Sequence, residues 1–266
     1  MPVTDAPFKY IRIDRDGRVL TLSLDRPEQL NAINSELHEE LSRIFRYAHR
    51  DTGSDVIVLT GAGKAFSAGG DIPWMQRSID DPALFRTIVT EAKEIIFSLL
   101  DCEKPIIAKV NGAAAGLGAT LALFSDVIFM AQEAVIVDPH VRVGLVAGDG
   151  GAVIWPQLIG YARAKHFLMT GDPVKADTAL NMGLVNFVTP REQLDAAVDA
   201  YVERLAAGAT LAIRWTKTAV NIGLKQLAHA IMDASLGYEA LSNGTRDHQI
   251  AVTAFVERAT PTFLGR

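Results

Sequence analysis

The chain has 266 residues, 49% hydrophobic and 21% charged, a balance that supplies a large core and argues against a disordered protein. A net charge of -5 with no basic block excludes a nucleic-acid footprint; a single cysteine, Cys102, excludes an internal disulfide and a CxxC metal knuckle and fits a reducing compartment. The start "MPVTDAPFKYIRID" lacks the features of a secretory leader, and the longest uncharged run, "VNGAAAGLGATLALFS", is too short to span a bilayer, so the expectation is a cytoplasmic protein with no membrane span and no nucleic-acid partner.

In chain order, "YIRIDRDGRVLTLSL" alternates apolar and polar residues about Asp16-Gly17 and predicts a β-hairpin with its turn there. "NSELHEELSRIFRYAHRD" places Leu37, Leu41, Ile44 and Phe45 at helical spacing behind an Asn/Ser cap. "DVIVLTG" predicts a buried strand, "ALFRTIVTEAKEIIFSLLDC" a helix, "KPIIAKV" a strand, "NGAAAGLGATLAL" a buried helix and "VIFMAQ" another strand. This order implies an α/β core. From Gly150 onward the segments "GAVIWPQLIG", "ARAKHFLMTG", "KADTALNMG" and "REQLDAAVDAYVERLAAG" read as helices, broken only by the strand-like "LVNFVT". No linker separates the halves. The expected organisation is an α/β core over residues 1–195 and a helical C-terminal region over 196–266.

Three segments carry candidate chemistry. "TGAGKAFSAGGDI" follows a strand, but Phe66 stands where a dinucleotide fingerprint needs glycine, and Val58 and Ala65 break the P-loop pattern. Ala65 also lacks the glycine that a nucleophile elbow would place before Ser67, which leaves Ser67 a weak nucleophile. A tight turn remains, with Asp71 capping a helix that has Pro73 in its first turn. In "NGAAAGLGATLAL", Gly116 and Gly118 flank Leu117 at a helix start. Either they permit close packing, or the free Leu117 amide stabilises an anion. If an amide near Ala68 faces the same point, the two form an oxyanion hole.

"VDPHVRVGLVAGDGGAVIWPQ" holds His140 and Asp149 among apolar residues, with Asp138 and Arg142. Asp149 suits a helix N-cap or a general base whose pKa is raised by an apolar wall. His140 suits a backbone-bonded histidine or a proton carrier. Six histidines at 38, 49, 140, 166, 229 and 248 show no paired ligand spacing, so no metal site is expected. Trp74, Met75 and Trp155 are candidates for core or for a pocket wall.

Taken together, "LDRPEQLNAIN", "DVIVLTGAGKAFSAGGDI", "KPIIAKVNGAAAGLGATLALFSDVIFMA", "VGLVAGDGGAVIWPQLIG", "LMTGDPVKADTALNMGLV" and "AFVERATPTF" resemble the enoyl-CoA hydratase/isomerase (crotonase) superfamily over nearly the whole chain. The resemblance implies a spiral of β-β-α turns with a helical C-terminal trimerisation region, and homotrimers or hexamers. It implies an acyl-CoA thioester as substrate, with coenzyme A present as part of it and no permanently bound cofactor. Ala68, Gly69, Gly70, Asp71, Ile72 and Leu117 would then hold the CoA ester, and the amides of Ala68 and Leu117 would grip its carbonyl. The chain departs from the family's hydratases at both glutamate positions, which Thr120 and His140 occupy. Thr120 is no base at neutral pH. Isomerisation, or another reaction with a single base drawn from Asp149 and His140, is favoured over two-carboxylate hydration. A non-catalytic acyl-CoA binding protein and a hydrolase of thioester or carbon–carbon bonds are the alternatives.

Overall fold

A computed structural model describes residues 7–266; residues 1–6, the start of the segment read for a leader, lie outside the described residues. The hairpin forms from β1 (Ile11–Asp16) and β2 (Val19–Leu24), whose alternation buries Ile11, Ile13, Leu20 and Leu22. Asp16 pairs with Val19, so the turn residues are Gly17 and Arg18, one position beyond the expected pair. Gly17 has φ 52°, which supplies the positive φ that a type II′ turn needs at its first central residue.

Asn34 accepts the Leu37 amide at 3.0 Å and starts α1 (Ser35–Arg50), which buries its apolar stripe. After it, the chain winds as a spiral. β3 (Val56–Gly61), buried at every position, leads through a glycine loop into α2 (Ile72–Asp80) and α3 (Pro82–Asp101). Next, β4 (Ile106–Val110) and β5 (Ala114–Ala115) lead into α4 (Leu117–Phe124). β6 (Val127–Ala131) and β7 (Val135–Val137) then lead into α5 (Gly151–Thr170). In the turns that start at β4 and β6, the first strand joins one large sheet and the second joins a small one. With β8 (Val174–Lys175), α6 (Ala176–Asn181) and β9 (Phe187–Thr189) added, the orders are β1-β2-β3-β4-β6-β9 and β5-β7-β8. β3, β4, β6 and β9 run parallel, and β3, β4 and β6 are mostly apolar, as strands covered on both faces are. The expected α/β spiral is present.

Three helices follow: α7 (Arg191–Ala206), α8 (Thr210–Asn243) and α9 (Arg246–Glu257). The boundary expected at residue 195 falls inside α7, which packs on β4 and β6 and so belongs to the core. α8 rests on α3 and α5. Gly160, at φ 78°, breaks α5 into the two segments that the sequence suggests. Among the described residues, no helix is long and apolar enough to cross a membrane.

Candidate active site

Two buried asparagines fix the glycine loop after β3. Asn31 donates to the carbonyls of Ala62 and Ala65, both at 2.9 Å, and Asn111 donates to Gly61 at 2.9 Å and Gly63 at 3.1 Å. Ser67 is fully buried; its hydroxyl donates to the Asn31 carbonyl at 2.8 Å and accepts the Gly69 amide at 3.2 Å. It serves the loop, not nucleophilic attack. Asp71 caps α2 as expected, accepting the Trp74 amide at 3.4 Å, and faces Arg26 at 3.4 Å.

The main-chain donors of this loop sort differently from expectation. The Ala68 amide donates to the Leu30 carbonyl at 2.9 Å, so it is not free to grip a substrate oxygen. Gly70 supplies the free amide instead. The Ile33 amide donates to Gly69 at 2.8 Å and the Asp71 amide to Ile33 at 2.9 Å, a parallel bridge that leaves the Gly70 amide pointing away from Ile33. No described group accepts from Gly70 or from Leu117, the first residue of α4. Both residues line one cavity with His140 and Asp149. Through Gly70, Met75 and His140 that cavity meets a wider groove, lined by Ala68, Gly69, Asp71 and Ile72 and by Phe255 of α9.

The glycines beside Leu117 have separate causes. Gly116 takes φ 52° to turn the chain from β5 into α4. Gly118 admits the neighbouring loop, because a Cβ there would lie 2.6 Å from the Ser67 Cβ.

Opposite these amides sits a buried acid-base cluster. Nδ1 of His140 lies 2.5 Å from Oδ1 of Asp138, and Nε2 lies 3.6 Å from Oδ2 of Asp149. The Thr120 hydroxyl donates to Oδ1 of Asp149 at 3.2 Å. Burial would push the His140 imidazole down, but the charges of Asp138 and Asp149 hold it well above its ordinary value. Burial raises the Asp149 carboxyl, while His140 and the Thr120 hydroxyl oppose that rise. The imidazole is thereby held in its cationic form near neutral pH, between the side chains of Asp138 and Asp149. Donor atoms of Asp138, His140 and Asp149 lie within 4.8 Å of one another, although the histidine spacing suggested no such grouping. The Asp138–His140 hydrogen bond accounts for their closeness.

Asp149 does not cap α5, whose N-cap is Gly150 with no side-chain cap. Trp74 and Met75 line the cavity, whereas Trp155 is core. Sequence reasoning missed two participants. Asp138 passes as a loop acid beside a proline. Glu239 of α8 lines the cavity, and the signal that could have found it is its helical spacing after Met232 and Leu236 on the buried face of that helix.

The enoyl-CoA hydratase/isomerase family model matches residues 14–266. The 1,2-epoxyphenylacetyl-CoA isomerase of Escherichia coli (strain K12) is 32% identical over 263 residues, covering 97% of this chain and all of that one. An enoyl-CoA hydratase/isomerase from Mycobacterium paratuberculosis superposes with TM-score 0.90 at 35% identity, over 93% of this chain and 99% of that one. A beta-diketone hydrolase from the cyanobacterium Anabaena sp. PCC 7120, bound to (S)-3-oxocyclohexyl acetic acid, superposes with TM-score 0.85 at 29% identity, over 92% and 98%. With the spiral fold and a family match over nearly its whole length, this chain belongs to the enoyl-CoA hydratase/isomerase family of enzymes.

Proposed function

We propose that this enzyme moves a proton on an acyl-CoA thioester through an enolate held by the amides of Gly70 and Leu117. The observation that carries this reading is that both amides are unpartnered and line the cavity that also holds Asp149 and His140. A thioester oxygen seated there gains negative charge as the α-proton leaves, and one such donor is worth about 3 kcal/mol in the transition state. The groove past Ala68, Gly69, Gly70, Asp71 and Ile72 would take the CoA portion.

Asp149 is the base. Thr120 and His140, which stand where the family's hydratases carry glutamates, here serve Asp149: one donates a hydrogen bond to it and the other places a cation beside it. Hydration needs a group to activate water and a second path for the α-proton. A 1,3-proton shift needs one shuttling base, and Asp149 with His140 supplies it. Double-bond isomerisation is therefore the favoured reaction. Incubation with 2-enoyl-CoA and 3-enoyl-CoA substrates tests this: interconversion without release of free thiol supports it, and 3-hydroxyacyl-CoA as the sole product would overturn it.

The His140 arrangement favours one second reading, hydrolysis. Asp149 can take a proton from the water that attacks a carbonyl, and the imidazolium oriented by Asp138 can donate one to the departing carbon. Cleavage of a carbon–carbon bond would then leave a carboxylic acid on one side and an enolate, protonated next, on the thioester side. The beta-diketone hydrolase of similar fold supports keeping this reading. One carboxylic acid and one shortened acyl-CoA appearing with each turnover, without release of free thiol, would establish it.

Assembly as a homotrimer or hexamer is part of the proposal. Trp215, Tyr238, Leu241 and Phe255 of α8 and α9 are large and exposed on the single chain, which supports burial between copies. Sedimentation of the purified protein as a monomer would contradict it.

A further inference from the structure

The buried face of α8 follows helical spacing: Met232, Leu236, Glu239 and Asn243, all less than a tenth exposed. Its polar neighbours are matched. Ser235 donates to the Gly148 carbonyl at 2.9 Å, and Asn243 exchanges hydrogen bonds with Ser78 at 3.0 Å in both directions. Glu239 is the exception. It is 7% exposed, lines the cavity beside Asp149 and His140, and its Oε2 has no hydrogen-bond partner among the described residues. Trp74, on the same cavity and 7% exposed, has an equally unmatched Nε1.

Buried polar atoms are nearly always paired, so two unpaired ones around one cavity point to a ligand that supplies the partner. We propose that the acyl cavity is built for an acyl group bearing a neutral oxygen function, a keto or hydroxyl group beyond the α-carbon, that hydrogen-bonds Glu239 and Trp74. This rests on the acyl-CoA reading of the site. The chemistry selects a neutral group. Burial, with the charges of Asp149 and Asp138, pushes the Glu239 carboxyl up to about 8, so near neutral pH it carries a proton and donates. The indole nitrogen donates as well. An oxygen acceptor satisfies both, whereas a carboxylate on the acyl chain would enter a site where Asp149 also lies and the cationic His140 is already shared between Asp138 and Asp149. A plain alkyl chain would displace water and leave both donors unmatched, and sites built around such donors discriminate strongly against ligands that lack the acceptor.

The test is equilibrium binding of CoA, hexanoyl-CoA, 3-oxohexanoyl-CoA, 3-hydroxyhexanoyl-CoA and 5-oxohexanoyl-CoA to the full chain, with each thioester recovered and checked for turnover. At least one oxygenated thioester is expected to bind about tenfold tighter than hexanoyl-CoA. Glu239→Leu should reduce that preference to within about twofold, and Glu239→Gln, which keeps a donor, should retain most of it. Equal binding of all four thioesters, or a preference untouched by Glu239→Leu, overturns the proposal. Hexanoyl-CoA and free CoA are the control: if neither binds, the acyl-CoA reading itself falls; if both bind without an oxygen preference, this proposal alone falls.

Discussion

His140 hydrogen-bonds Asp138 through Nδ1 at 2.5 Å, and Asp138 is itself almost fully buried. The pair fixes the ring so that Nε2 faces Asp149. Because Asp138 is a principal cause of the raised imidazole value, Asp138→Asn should lower it. The sign follows: His140 loses its proton at lower pH in the variant, so activity that depends on the imidazolium fails at lower pH. An imidazole NMR titration alongside the pH dependence of kcat/KM checks this. A titration unchanged from the parent would contradict it.

Asp149→Asn should reduce kcat by about 100-fold to 10,000-fold, the span of general acid-base contributions. Thr120→Val keeps the shape but removes the hydroxyl that donates at 3.2 Å and favours the ionised carboxylate. Asp149 should then titrate higher, and the acidic limb of the kcat/KM profile should move to higher pH. A profile that coincides with the parent would show that the bond has no bearing on the base.

Gly118→Ala should destabilise the fold by about 1–3 kcal/mol, because the new Cβ would lie 2.6 Å from the Ser67 Cβ in a closely packed region. Ser67→Gly in the same chain removes the clashing atom. Urea unfolding of both single variants and the double variant should give a favourable coupling energy. Simple additivity would mean that the two segments are not packed as described.

Glu239 gives stability a pH signature. Its folded value of about 8 lies above the ordinary carboxyl value of 4.5, so between those values the native state binds more protons than the unfolded chain. Its contribution to stability is full below that window and falls as pH rises through it, by about 1.4 kcal/mol per pH unit at most. Glu239→Gln should remove this slope. Unfolding free energies from pH 5 to 8 with the same slope in parent and variant would refute the raised value.

Much of this was legible because periodicity and caps act locally. The hairpin, α1 with its Asn34 cap, the apolar strands and the buried α4 all follow from short stretches of sequence. β5, β7 and β8 are two or three residues long, too short for any alternation to show, and they exist because the spiral brings them together. Within "SAGGDI", telling Gly70 from Ala68 needed the Leu30 and Ile33 carbonyls, which take the Ala68 and Asp71 amides from about forty residues away in sequence. Glu239 was hidden for a related reason. On α8 it shares the helical spacing of Met232 and Leu236, but that stripe shows only burial, and what Glu239 faces depends on packing against Gly148 and the cavity.

The most direct measurement is hydrogen exchange at the substrate carbon. A 3-enoyl-CoA incubated in deuterium oxide and followed by proton NMR should lose its α-proton signal with the parent enzyme and lose it at least about 100-fold more slowly with Asp149→Asn. Equal rates of loss in parent and variant, or an α-proton signal that persists with a parent enzyme that binds the thioester, would contradict proton transfer by Asp149 to and from an enolate at this site.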